Sequence, residues 1–300
     1  MNQLYQTPEA FDRALKKAIA ARGGDSGELY RQMLRDRFLC RVFSEGGEGL
    51  VLKGGSVLLA RIPDARSTRD IDFGAGRDVD ADRVIERLNA LAAKDLGDWC
   101  RFKLTKRAEM LDENGYSRLL KLRYATFIGE SEKDPVLIDL SLGCSATLPP
   151  ERIVPANRIE LRGIETHDYL AYPLPDQLAD KLCAIMEVQP NGWPSSRMKD
   201  LVDVITYITR RSFELKQLRF AIVSECAKRS MVVPPVFEAP TIWKGSFEAF
   251  ARKSGLAKEY STFEGASDLA SVFFNPALSG KDFGEAEWSC DVLQWLPRVC

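Results

Sequence analysis

The sequence predicts an α+β protein: a small mixed sheet with flanking helices, followed by a helical half. Three observations predict it. Between residues 50 and 142, stretches of period-2 alternation are interleaved with stretches of helical period. Glycine turns and the pair Asn114-Gly115, a hairpin signal, separate those stretches. From about Pro149 the prolines gather, at Pro149, Pro150, Pro155, Pro173 and Pro175, and helical periodicity dominates after them. The expected organisation is a core with N-terminal helices at 1–150 and a mainly helical domain at 151–300.

The elements follow in order. Thr7-Pro8-Glu9 opens a helix with a capping hydroxyl, a proline at the first helical position and an acid in the first turn. Its stripe is Phe11, Leu15, Ala18 and Ile19, and Gly23-Gly24 ends it. Asp25 or Ser26 starts a second helix, with Leu29, Met33, Phe38 and Val42 inward. Residues 46–49 form a turn into an apolar strand at 50–52. Gly74-Ala75-Gly76 reads as a turn after a strand at 70–73, and 80–96 as an amphipathic helix carrying Val84, Ile85, Leu88 and Leu91. Strands are expected at 100–104, 118–126 and 136–142. In the helical half, helices are expected at 175–188, from 195 or 196 to 210 or 211, and at 213–228. The remainder, 231–300, with Trp243, Trp288 and Trp295, reads as further helices.

Bulk properties exclude several classes. With 42 basic and 43 acidic side chains among 300 residues, no global basic field marks a nucleic-acid binder, although a local basic face remains open. No apolar run approaches the roughly 20 residues that span a bilayer, and the N-terminus lacks a basic-then-apolar signal pattern. Seven scattered cysteines without a C-x-x-C pair read as reduced thiols of a cytoplasmic protein, not a disulfide framework or zinc site. The single histidine, His167, leaves histidine-based acid–base catalysis resting on one residue.

The chemistry concentrates in 53–73. Lys53-Gly54-Gly55-Ser56 follows the apolar strand, and Arg66-Ser67-Thr68-Arg69-Asp70-Ile71-Asp72-Phe73 follows a short apolar segment. Asp70 and Asp72 alternate with Ile71 and Phe73, so both carboxylates share one strand face. Like charges that close call for a cation, and Mg²⁺ takes carboxylates together with substrate phosphates. The glycine pair permits close backbone approach, and a helix opened at Ser56 would offer its first N–H groups to an anion. Asp139, in a strand of apolar neighbours, reads either as a third carboxylate or as an edge acid paired with an arginine. A surface loop pairing Asp70 and Asp72 with Arg66 and Arg69 is the bland alternative for the first cluster.

A second constellation lies in the helical half. Lys181 borders an apolar helical stripe, where an ammonium can reach phosphates as a point charge. Arg197, Asp200 and Asp203 are spaced by three and so share one helix face. Helix surfaces laced with ion pairs would show the same pattern.

These segments, in this order and approximate spacing, resemble the AbiEii-type nucleotidyltransferase toxins, a group that includes the mycobacterial MenT toxins. The resemblance covers about residues 30–215. It implies a polymerase-β-like nucleotidyltransferase core and a helical domain that completes the cleft. It implies a toxin of a bacterial toxin–antitoxin or abortive-infection system that transfers nucleotides from an NTP, often CTP, to the 3′ acceptor end of tRNA. Asp70 and Asp72 would hold Mg²⁺ or Mn²⁺, with Asp139 as a further ligand. Lys53, Gly54, Gly55, Ser56, Arg66, Thr68, Lys181 and Arg197 would contact the nucleotide, and Asp200, or in another register Asp203, would be the later catalytic acid. A cognate antitoxin of the AbiEi or MenA kind would restrain the protein, in some systems by phosphorylating a hydroxyl near the first aspartate, here Thr68 or Ser67. Lys103, Lys106, Arg107, Lys121 and Arg123, and Arg210, Arg211, Lys216 and Arg219, are candidate contacts to tRNA phosphates. The same motif would serve transfer to a protein or to a small molecule such as an aminoglycoside, and a non-catalytic RNA-binding module is the third reading.

Overall fold

The computed structural model describes residues 4–47, 49–76, 79–111, 118–189, 191–281 and 284–298. The Asn114-Gly115 turn lies outside the described residues. The chain divides into two compact units. The first takes the chain up to Pro63, then Ser67–Ser145 and Pro150–Tyr172, and the second takes Asp64–Arg66, Ala146–Pro149 and the chain from Pro173 onward.

In the first unit, helix α1 (Pro8–Arg22) is capped by Thr7, whose hydroxyl accepts from the Ala10 N–H, and α2 (Ser26–Phe43) is capped by Asp25. Strand β1 (Leu50–Lys53) runs directly into α3 (Gly54–Arg61), which begins two residues before Ser56. Strand β2 (Asp70–Ala75) comes next, then α4 (Ala81–Ala92) with an Asp80 cap. The expected turn at Gly74-Ala75 is strand instead, because ladders on both sides, to Val51 and Leu50 of β1 and to Ser141 and Leu142 of the later strand, hold it extended. The helix expected to run to residue 96 stops at Ala92. Long strands β3 (Cys100–Leu111), β4 (Arg118–Ile128) and β5 (Ser131–Leu142) form the antiparallel meander.

Two short strands, β6 (Glu151–Ile153) and β7 (Tyr169–Ala171), complete a seven-stranded sheet of order β3-β4-β5-β2-β1-β7-β6. The proline-rich segment beyond residue 150 was expected only to connect, yet it supplies one edge of this sheet. The sheet is mixed: β2 is parallel to β5 and antiparallel to β1, which is itself parallel to β7. Its inner face carries Leu52, Ile71, Phe73, Leu120, Leu122, Ile138 and Leu140, all almost fully buried with the apolar sides of α1, α2 and α4. Each such side chain contributes roughly 1.5–3 kcal/mol of burial, which pins the strand register and sends the alternate residues to the opposite face.

The second unit holds α5 (Leu174–Met186), α6 (Met198–Ile208), the two-residue strand β8 (Phe213–Glu214), α7 (Leu215–Lys228), α8 (Lys244–Lys253), α9 (Phe263–Leu278), β9 (Ala286–Ser289) and β10 (Gln294–Pro297). Trp288 and Trp295 were expected on helices. They face each other across β9 and β10, in a three-stranded sheet of order β10-β9-β8. The Trp288 indole is fully buried against Phe273, and its N–H donates to the Ile208 carbonyl, so the strands serve as a lid on the helical core. Helix α6 starts at Met198, later than expected, because Ser195 is used elsewhere: its hydroxyl donates to the Ala184 carbonyl at the end of α5. No described helix is long and apolar enough to cross a membrane.

Candidate active site

The expected alternation holds in β2. Ile71 and Phe73 are 0% exposed, while Asp70 and Asp72 are half-buried on the other face. Register then places Asp72 between Lys53 of β1 and Asp139 of β5. Asp139 is therefore on a central strand, not an edge, and it pairs with a lysine: Lys121 Nζ on β4 lies 3.2 Å from Asp139 Oδ2.

The glycine turn is built around Asp72. Gly54 has φ +59°, in the left-handed region, and a Cβ on it would stand 2.1 Å from Asp72 Oδ2. The Gly55 N–H donates to the same oxygen at 3.2 Å, so the positive end of α3 faces a carboxylate. A Cβ on Gly55 would meet Thr68 at 2.9 Å. The Ser56 and Thr68 hydroxyls both donate to the Asp70 carbonyl, at 3.2 and 3.4 Å, and tie the start of β2 to α3. Ser56 is buried, Thr68 half-buried and Ser67 exposed. Lys53 Nζ sits 5.4 Å above the Tyr172 ring.

The second constellation is a chain of alternating charges within the second unit. Lys181 on α5 is only 4% exposed, and its Nζ donates to Asp200 Oδ1 at 2.8 Å and Asp203 Oδ2 at 2.7 Å. Arg197, at the head of α6, donates to Asp200 Oδ2 at 2.7 Å. Arg66 forks onto Asp203, Nε to Oδ1 at 2.6 Å and Nη2 to Oδ2 at 2.7 Å. Burial opposes the Asp200 charge, yet Lys181 and Arg197 outweigh it and hold its pKa well below the usual carboxylate range. Burial likewise opposes the charge on Lys181, and the two aspartates outweigh it, raising its pKa above an ordinary lysine. Lys181 thus binds both candidates for the late acid.

The family comparison decides the class. The model of the family described as nucleotidyl transferase AbiEii toxin, type IV TA system, matches residues 37–271. The chain belongs to this family. It is accordingly a nucleotidyltransferase toxin of a type IV toxin–antitoxin system, in which an antitoxin is its counterpart. Among solved structures the chain is similar to MenT4, a nucleotidyltransferase toxin from Mycobacterium tuberculosis H37Rv, with 16% identity and a TM-score of 0.55 over 92% of this chain and 91% of that one. That likeness shows a shared α+β fold with a mixed central sheet. JHP933 from Helicobacter pylori also aligns, with 16% identity and a TM-score of 0.37 over 67% of this chain and 78% of that one. No curated protein matches the sequence.

Several of the singled-out residues have partners within the chain. Arg219 does not reach outward: it donates to the carbonyls of Pro276, Ala277 and Lys281 and so closes the C-terminal end of α9. Arg107 pairs with Asp82, Arg210 with Asp64, and His167 with Glu165. The expectation from the scattered cysteines can be checked only in part: the six described cysteines are free thiols, including Cys183 and Cys226, whose sulfurs are 3.6 Å apart. Sequence spacing had no means to show the Arg66–Asp203 fork, because those residues are 137 positions apart.

Proposed function

We propose that this toxin is a divalent-cation-dependent enzyme that moves a nucleotide, a pyrimidine such as that of CTP in the first place, to the 3′ acceptor end of tRNA and so blocks aminoacylation. The observation that carries this reading is the Asp70–Asp72 pair, held on one strand face against the α3 glycine turn. Its donor set fits Mg²⁺ or Mn²⁺: hard carboxylate oxygens, half-exposed, beside a turn whose missing Cβ atoms leave room at Asp72. Asp70 and Asp72 would hold the cation, with Asp139 as the neighbouring carboxylate. When bound, such a cation neutralises charge on the phosphates and on the attacking and leaving oxygens of an in-line displacement.

The chain's own residues do the positioning. The Gly55 N–H fixes one oxygen of Asp72, and the Ser56 and Thr68 hydroxyls fix the backbone of Asp70, so both carboxylates keep their aim. In the second unit, Lys181, Arg66 and Arg197 together hold Asp200 and Asp203. Arg197 is the outermost member, its side chain 34% exposed, and it is the group assigned to a nucleotide phosphate. Lys181, spent on two carboxylates, acts by holding that arrangement. Lys106, Lys121 and Arg123 fall on the same sheet face as Asp139 by register and offer a short basic track for RNA phosphates.

Incubation with each labelled NTP, Mg²⁺ and total tRNA tests the reading. Label on tRNA is expected from the native chain, with transfer by Asp70→Ala lower by on the order of 10³-fold. Absence of RNA labelling with all four NTPs overturns it, and label on protein with RNA absent moves the assignment to a protein acceptor.

A further inference from the structure

One row of charged residues crosses the open face of the first unit's sheet. Register sets Lys53 beside Asp72, Asp72 beside Asp139, and Asp139 beside Lys121. Like charges directly opposed across strands repel. The Lys121 ammonium, 3.2 Å from Asp139, offsets that repulsion from one side. Both partners stay accessible, with side chains 47% and 24% exposed, so the pair is weak and exchangeable. The structure also has no three acidic, histidine or cysteine side chains, among the described residues, close enough to hold a metal ion together. Register brings the third carboxylate alongside Asp72, but a protein cation already holds it.

We infer that Lys121 is an internal counter-ion that occupies the Asp139 carboxylate until a divalent cation at Asp70 and Asp72 displaces it, so that Lys121 sets the cation concentration at which the site loads. The inference rests on the cation assignment above and not on the identity of the acceptor. An ammonium and a divalent cation on one carboxylate repel each other, so loading a third carboxylate favours Lys121 swinging away. Its environment allows that movement. The residue facing Lys121 on β3 is Ala108, which offers no charge to hold it, and the next level of the face carries Arg123 and Lys106, which push a freed ammonium toward solvent. Lysine suits this role, since its flexible stem carries a point charge that releases a single oxygen easily, whereas a guanidinium grips a carboxylate with two.

The test uses the full chain and Mn²⁺ alone, without nucleotide or RNA, with binding read by calorimetry or by the electron paramagnetic resonance of free Mn²⁺. Lys121→Met is expected to bind Mn²⁺ about fivefold more tightly than the native chain, the worth of an exposed ion pair. Lys121→Arg is expected to keep affinity at or below the native value, and Lys121→Met in an Asp139→Asn background is expected to lose the gain. Lys121→Gln serves as the second neutral variant, and circular dichroism verifies the fold of each. Unchanged or weaker Mn²⁺ binding in both neutral variants overturns the inference, as does a gain that survives Asp139→Asn. If the native chain binds Mn²⁺ with Lys121→Met having no effect, only the gate fails; if the native chain binds no Mn²⁺, the cation assignment fails with it.

Discussion

The open face of the first unit's sheet and the α5–α6 network of the second unit hold aspartates in opposite ways. Asp70, Asp72 and Asp139 are half-buried; the Asp72 carboxylate accepts the Gly55 N–H at the head of α3, and the Asp139 carboxylate shares an exposed lysine. Asp200 and Asp203 are 2% and 0% exposed, and each is gripped by two cations. Carboxylates of the first kind can change partners at little cost. Those of the second kind cannot, because a buried charge that loses its partner keeps its desolvation cost. The first region is thus suited to exchange of partners, and the second to keeping a fixed arrangement of charges in place.

The largest contrast should come from removing one carboxylate on each side. Asp203→Ala leaves Lys181 and Arg66 facing each other without their shared anion, at an expected cost of about 3–5 kcal/mol of stability. Asp72→Ala removes a half-exposed charge beside Asp139 and should cost under about 1 kcal/mol, while transfer activity collapses. Urea unfolding followed by tryptophan fluorescence reads the difference, since Trp193, Trp243, Trp288 and Trp295 all lie in the second unit, with far-ultraviolet circular dichroism following the whole chain. Equal losses of stability in the two variants would break the comparison.

A buried nest in the first unit asks whether burial, and not the unit, makes the difference. Asp98 is fully buried and receives Arg37 Nε at 2.5 Å and the Arg41 fork at 2.9 and 2.6 Å. Burial opposes its charge, but Arg41 and Arg37 overcome that and lower its pKa to about 2. A depressed carboxylate pKa contributes stability that is complete above the unfolded value and lost as pH falls through the folded one. From the ordinary value of 3.8 down to about 2 the contribution is about 2 kcal/mol, lost between roughly pH 5 and pH 2. Asp200, depressed in the same direction, adds to this slope in the second unit. Urea midpoints of native protein and Asp98→Asn at pH 7, 5 and 3 should converge toward low pH, and a constant gap between them contradicts the assignment.

These contrasts also mark what was legible from sequence. The alternation Asp70-Ile71-Asp72-Phe73 encodes its own faces, since period 2 and a buried sheet admit only one arrangement. The spacing of Arg197, Asp200 and Asp203 on a helix encodes their shared side in the same local way. Partners from distant segments are not encoded locally, so Arg66 could be offered to the nearby aspartates but not to Asp203. Asp139 reads two ways from sequence, because only the register of β4 on β5 reveals Lys121. The short strands β6 to β10 were missed because two to four residues hold too little period, and Trp288 and Trp295 read equally well as helix anchors.

The smallest effect tests pairing without burial. Arg210 and Asp64, both in the second unit, meet at 2.9 Å with side chains 46% and 62% exposed. Their geometry is as good as that of Lys181 with Asp200, but water screens both charges and two flexible side chains are ordered to make the contact. Arg210→Ala should therefore change stability by less than about 0.5 kcal/mol, and raising the salt concentration should erase even that. If Arg210→Ala instead cost as much as Asp203→Ala, short distance alone would be setting the energy, and the division between exchangeable and fixed carboxylates would have no basis in exposure.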